Sequence, residues 1–206
     1  MDKSRLRSYR PTGVDGKHHD PSSSRHQVAR AADGDCIASP LIRLLRQIAT
    51  LIDQIPDAQF RRDDLGIVEG SVGAHVRHCV DHVRALIDAQ RTGRINYDQR
   101  NRGATMETDR RSAMAALAEV SKHLLEIRRT DLDRPVRVET LLETGETPLE
   151  LQSTLGRELS FVISHTIHHN AVIGVFARTM DVSLPADFGF APSTVAHRQL
   201  TTISNS

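Results

Sequence analysis

Tryptophan is absent from this chain, which carries only two tyrosines, five phenylalanines and two cysteines among 206 residues. With so few aromatic rings the core must be aliphatic, and that suits helix packed on helix better than an aromatic-rich sandwich. Two cysteines cannot make a disulfide scaffold. Cys79 falls in an apolar helical stretch and Cys36 in a polar one, so both read as free thiols of a reducing cytoplasm. An excess of one charge is missing too: 27 Lys and Arg balance 26 Asp and Glu, for a net +1. A broad nucleic-acid surface would need a clustered basic excess, so no nucleic-acid partner is expected. No apolar run approaches the ~18–20 residues of a membrane span, and the N-terminus lacks a hydrophobic signal core. The expected protein is cytoplasmic, acts on a small molecule, and is compatible with a homodimer.

Residues 1–38 are polar, aperiodic and punctuated by Pro, Gly and Ser. Such a segment buries too little surface to offset its ordering entropy, so a disordered arm is expected, with His18, His19 and His26 solvated. A bundle domain over 39–195 and a flexible tail over 196–206 complete the expected organisation. Helix one begins at Ser39-Pro40, serine capping and proline in the first turn, and Pro56 ends it. Leu41, Leu44, Leu45, Ile48, Leu51, Ile52 and Ile55 form its apolar stripe. A charged connection follows, then helix two from a Ser71 cap to about Gln90. The stretch from Arg91 to Glu107 is long enough, at ~50 Å extended, to cross a ~30 Å bundle and set helix three parallel to helix two. Helix three is expected to take Thr108 as its cap. A β-hairpin over Pro135–Leu151 precedes helix four, which spans about Thr154 to Met180. The segment 184–194 is expected to pack over one end of the bundle, and the chain to fray after His197.

Six of the eleven histidines lie in two short apolar stretches. On helix two, His75, His78 and His82 fall within about 60° of one another along one edge of the apolar face. On helix four, His165 and His169 stand one turn apart on the apolar stripe, while His168 points away from it. A lone histidine on such a face is more often a hydrogen-bonded core residue. Two at i, i+4, facing a second cluster, favour a divalent metal, because buried imidazoles need partners and the spacing lets both bind one ion. Helix two supplies the third ligand from among His75, His78 and His82, of which helical phase puts His75 and His82 closer to the apolar centre than His78. Asp81 reads as a surface carboxylate. Three ligands with open positions mark a reactive site, whereas structural zinc normally has four.

Ser71-Val-Gly-Ala-His75-Val-Arg-His78 and His165-Thr-Ile-His168-His169, in this order, resemble the DinB/YfiT-like superfamily over about residues 40–195. The loop Asn96-Tyr97-Asp98-Gln99-Arg100 and the segment Phe188–Thr194 resemble one uncharacterised bacterial branch of it. The resemblance implies an all-α four-helix bundle, here with the long crossover and the small hairpin. It implies His78, His165 and His169 as metal ligands, with His75, His82 and His168 as orienting groups or rival ligands. It also implies chemistry of the thiol-transferase or isomerase type with a low-molecular-weight thiol, or of a hydrolase. Zinc, nickel and iron suit imidazole ligands alike. Arg100 and Arg102 are candidates to pair an anionic substrate group. The competing expectation is a non-catalytic metal-binding bundle that serves as a stress-linked or dimerising scaffold.

Overall fold

The computed structural model describes residues 36–63, 68–99 and 103–204. The expected arm over 1–38 therefore lies almost wholly outside the described residues, as do Arg100 and Arg102. The described chain is mostly helical with a small three-stranded sheet.

Helix α1, Ser39–Gln54, buries Leu41, Ile42, Leu45, Ile48, Leu51 and Ile52 on one stripe. Its cap position is Ala38, one residue before the expected serine, and no side chain caps it. The Ser39 hydroxyl instead donates back to the Cys36 carbonyl. Ile55 is extended ahead of Pro56, as the pre-proline position favours. The connection expected next to be merely charged holds a four-residue helix α2, Asp57–Phe60, whose Phe60 ring is fully buried.

Helix α3, Val72–Thr92, starts on Ser71, whose side chain accepts from the Ala74 amide. It ends on Gly93, left-handed at φ 66°, which donates to the Ala89 carbonyl. Helix α4, Arg110–Leu124, is capped by Asp109, which accepts from Arg111 and Ser112, and not by Thr108 as expected. A carboxylate also suits the positive end of the helix. Its buried stripe is Ala113, Ala116, Leu117, Val120 and Leu124. Helix α5, Leu155–Thr179, is capped by Thr154 and buries Leu159, Val162, Thr166, His169, Ile173 and Phe176.

Side-chain pairs fix the helix directions. Arg77 pairs with Glu107, Arg84 with Glu119, and Arg134 reaches the Gln90 carbonyl, so α3 and α4 run parallel. Arg110 reaches the carbonyls of Ile52 and Asp53 while Cys36 reaches that of Leu124, so α1 and α4 are antiparallel. His75 meets His169 and His78 meets His165, so α3 and α5 are antiparallel. Asn170 on α5 donates to the Leu44 carbonyl of α1. Each of these four helices packs on two of the others.

The expected hairpin forms, β2 Pro135–Thr140 against β3 Leu149–Thr154, but it belongs to a three-stranded sheet. Strand β1, Arg94–Asn96, pairs in parallel with β2, Ile95 opposite Val138. The crossover is thus tied down near its start. The segment after α5 lies along a flank of the bundle and not over one end: Phe188 is buried against Gly174, and the left-handed Gly189 lies against Ala171. Where fraying was expected, helix α6 runs over Pro192–Ser204. No described helix is long and apolar enough to cross a membrane.

A candidate metal centre between two antiparallel helices

Because α3 and α5 are antiparallel, residues at one-turn spacing on one helix face residues at one-turn spacing on the other. His165 Nε2 lies 2.9 Å from His78 Nε2, and His75 Nδ1 lies 3.1 Å from His169 Nδ1. One nitrogen from each of His78, His165 and His169 falls within 4.8 Å of the other two, and these three could hold one metal ion. The structure therefore brings together the three residues expected as ligands. His169 is the buried member, whereas His78 and His165 are half-buried. Such a donor set, three neutral nitrogens from two rigid helices, fits a borderline transition-metal ion.

The remaining candidates fall around this trio. His75 takes up Nδ1 of His169, which leaves Nε2 as the second ring nitrogen of that residue. His82 is buried, and its Nδ1 lies 3.0 Å from the His78 carbonyl, which sets Nδ1–H as the donor. Its ring stacks on His165 at 4.0 Å between centroids and 15° between planes. His168 is exposed and touches the group only edge-on through His169, at 5.2 Å. Asp81 is held by buried Arg77 at 2.8 Å and lies outside the trio.

Burial drives the electrostatics. Desolvation, followed by the nearby imidazoles of His165, His75, His168 and His82, pushes His169 down to about 3. Desolvation likewise holds His75 below its ordinary value, partly offset by a hydrogen bond with the Glu69 backbone. Both rings are thus neutral near pH 7, the state a metal requires. In the metal-free protein this has a testable consequence. An unfolded histidine takes its proton near 6.5, so below that pH the unfolded chain binds more protons than the folded one. The contribution of His169 is complete above about pH 6.5 and is lost as pH falls toward 3, by up to a few kcal/mol. Melting of apo-protein should hold steady above pH 7 and drop steeply between pH 6.5 and 4. The drop should flatten in His169→Gln; an equally steep drop in that variant would place the acid sensitivity elsewhere.

Two groups beside the site were not singled out from sequence. Tyr97, in the turn after β1, stacks on His82 at 4.9 Å and 10°. Its hydroxyl donates to Glu158, whose carboxylate is completely buried. Glu158 sat in plain view: it follows Leu155 by three residues on the apolar stripe of α5, where a carboxylate needs a reason. Neither cysteine belongs to the centre. Cys79 is fully buried and its thiol is pushed up to about 12, while Cys36 donates to the Leu124 carbonyl where α1 and α4 meet.

A crystal structure of the DinB-like protein YjoA from Bacillus subtilis has the same fold, with a TM-score of 0.56. It covers 74% of this chain and 97% of that one at 20% identity. In sequence, the chain is 34% identical over 104 residues to FK506-binding protein 5 of Rhizopus delemar. That match takes in 50% of this chain but only 27% of the relative, so the chain spans about a quarter of that protein's length. The profile of the DinB superfamily matches residues 41–173, from the first turns of α1 to the last third of α5 and across every histidine of the centre; the chain belongs to the DinB superfamily.

Proposed function

We propose that this chain is a divalent-metal-dependent enzyme of the thiol-transferase or hydrolase type, acting on a small molecule at His78, His165 and His169. The observation that carries the reading is the meeting of three imidazoles from two helices, with ligand nitrogens within 4.8 Å of one another. We read the pairwise packing of α1, α3, α4 and α5 as a four-helix bundle of the DinB type, in which α3 and α5 hold the ion between them. Three ligands leave positions for substrate. Bound there, a divalent ion supplies positive charge that polarises a carbonyl or favours a thiolate.

The chain's own groups prepare the centre. The contact between His75 and His169 fixes which nitrogen of His169 faces inward. His82 donates to the His78 carbonyl and lies flat on His165, holding both ligand-bearing turns. Cys79, buried and kept protonated, is no nucleophile. A thiol-transfer reaction here would therefore take its sulfur from a separate low-molecular-weight thiol. Zinc, nickel and iron all suit the donors.

Elemental analysis of the purified protein tests the reading first, with about one equivalent of a transition metal expected. The loaded protein is then given small electrophiles and esters, with and without a low-molecular-weight thiol. Turnover that requires the thiol identifies a transferase, and turnover without it a hydrolase. No metal under any loading condition would overturn the site, and no turnover of either kind would overturn the enzyme.

A further inference from the structure

Glu158 is a carboxylate with no solvent exposure, and a buried charge is tolerated only when several donors surround it. Three do. The Ser153 hydroxyl lies at 2.6 Å, the Arg157 guanidinium at 2.8 Å and the Tyr97 hydroxyl at 3.0 Å. These donors come from β3, α5 and the turn after β1, so one buried carboxylate ties that turn to the junction of β3 and α5. The turn carrying Tyr97 is pinned from its other side as well. Asn96 accepts from the amides of Asp98 and Gln99, and Asp98 accepts from the Leu141 amide at the end of β2. Tyr97 therefore has little freedom of position.

What Tyr97 does with that position is visible in the ring geometry. Tyr97, His82 and His165 form a column: Tyr97 and His82 are 10° from parallel, and His82 and His165 are 15° from parallel. Phe161 closes the side of the column, 5.1 Å from Tyr97 and 5.7 Å from His165, with the Arg157 guanidinium over its ring at 5.4 Å. His82, held between Tyr97 and His165, has little room to turn, and it lies flat against His165, whose plane decides where Nε2 points. From this geometry we infer that Tyr97, anchored by Glu158 and acting through His82, is a positioning residue that fixes the ligand plane of His165. The inference rests on the reading of His165 as a metal ligand. Groups that orient a metal-binding histidine are usually hydrogen-bonded to its far nitrogen; stacking on its face is a further kind of support.

Cobalt(II) titration of the full chain tests this, with the visible d–d absorption reporting the ligand field independently of any turnover. Tyr97→Leu removes the ring; its dissociation constant for cobalt should rise about tenfold, and the d–d bands should shift. Tyr97→Phe keeps the stack and loses only the anchor to Glu158, so a smaller rise with nearly native bands is expected. A residue that merely packs would lower the melting temperature and leave affinity and spectrum alone. A folded Tyr97→Leu with native affinity and native bands overturns the inference. Should that variant fail to fold, Tyr97→Phe decides: an affinity no different from the wild type's overturns it. Failure of the wild-type protein to bind cobalt is a distinct result, which would sink the metal centre itself.

Discussion

Alanine at His78, His165 or His169 is expected to weaken divalent-metal binding about a hundredfold or more while leaving the helical circular dichroism nearly intact. The three side chains meet between α3 and α5, and each offers one nitrogen within 4.8 Å of the other two. Losing one leaves two ligands, too few to hold an ion against water and buffer. The fold should survive because the cost of truncation is local. His78 and His165 are half-buried and their ring contacts lie within the histidine cluster and its flank at Phe161, and His169, though buried, is one ring among some thirty apolar core residues. In the metal-free state, removing one of several crowded imidazoles also relieves mutual desolvation. Competition titration with a chromophoric chelator measures the effect. His123→Ala is the control, since His123 is half-buried on α4, pairs with Glu126 and is not one of the three. Native affinity in any of the three variants would remove that residue from the centre.

The second large effect is structural. Gly73 sits in the first turn of α3, where a Cβ would fall 2.0 Å from the Glu107 carbonyl oxygen and 2.8 Å from the Phe60 ring. The nearer obstacle is backbone and cannot rotate aside. Gly73→Ala must push α3 away from the turn at Thr105–Glu107 and disturb the buried Arg77, which pairs with Glu107 and Asp81. A loss of about 3 kcal/mol is expected, or roughly 6–12 °C in melting temperature for a domain of this size. Gly93→Ala provides the contrast. There a Cβ meets nothing within 4 Å and only the positive φ resists, so ~1–2 kcal/mol is expected. A Gly73→Ala melt no lower than that of Gly93→Ala would mean that the turn yields freely.

Much of this was legible in the sequence because the relevant signals were local. Ser71 and Gly93 mark both ends of α3, and apolar residues at helical spacing mark the buried faces of α1, α4 and α5. The histidine trio could be read because both halves of the site are one-turn repeats on amphipathic helices. What escaped depends on partners distant in the chain. Strand β1 is three residues long and becomes a strand only by pairing with β2, more than forty positions later. Helix α2 is four residues whose one strong signal, Phe60, is a single ring. Asp109 outcompeted Thr108 as cap because its carboxylate accepts two amides at once. Helical phase alone put His75 and His82 nearer the apolar centre than His78. The structure agrees with phase on burial for His82, which lies deeper than His78 and beneath Tyr97, while the grouped nitrogens lie at the seam between α3 and α5.

The parallel run of α3 and α4 also bears on how the molecule comes together in time. The contacts that create the centre join residues 87 and 94 positions apart, and the one between α1 and α5 spans 126. Closing such loops is entropically slow compared with the nearest-neighbour hairpins of a simple up-and-down bundle. During synthesis the first four helices emerge with His78 alone of the three ligands, and two-thirds of the centre arrives with α5. An ion at the proposed centre would therefore be captured by a chain that has already closed, and loading would report on completed folding instead of guiding it.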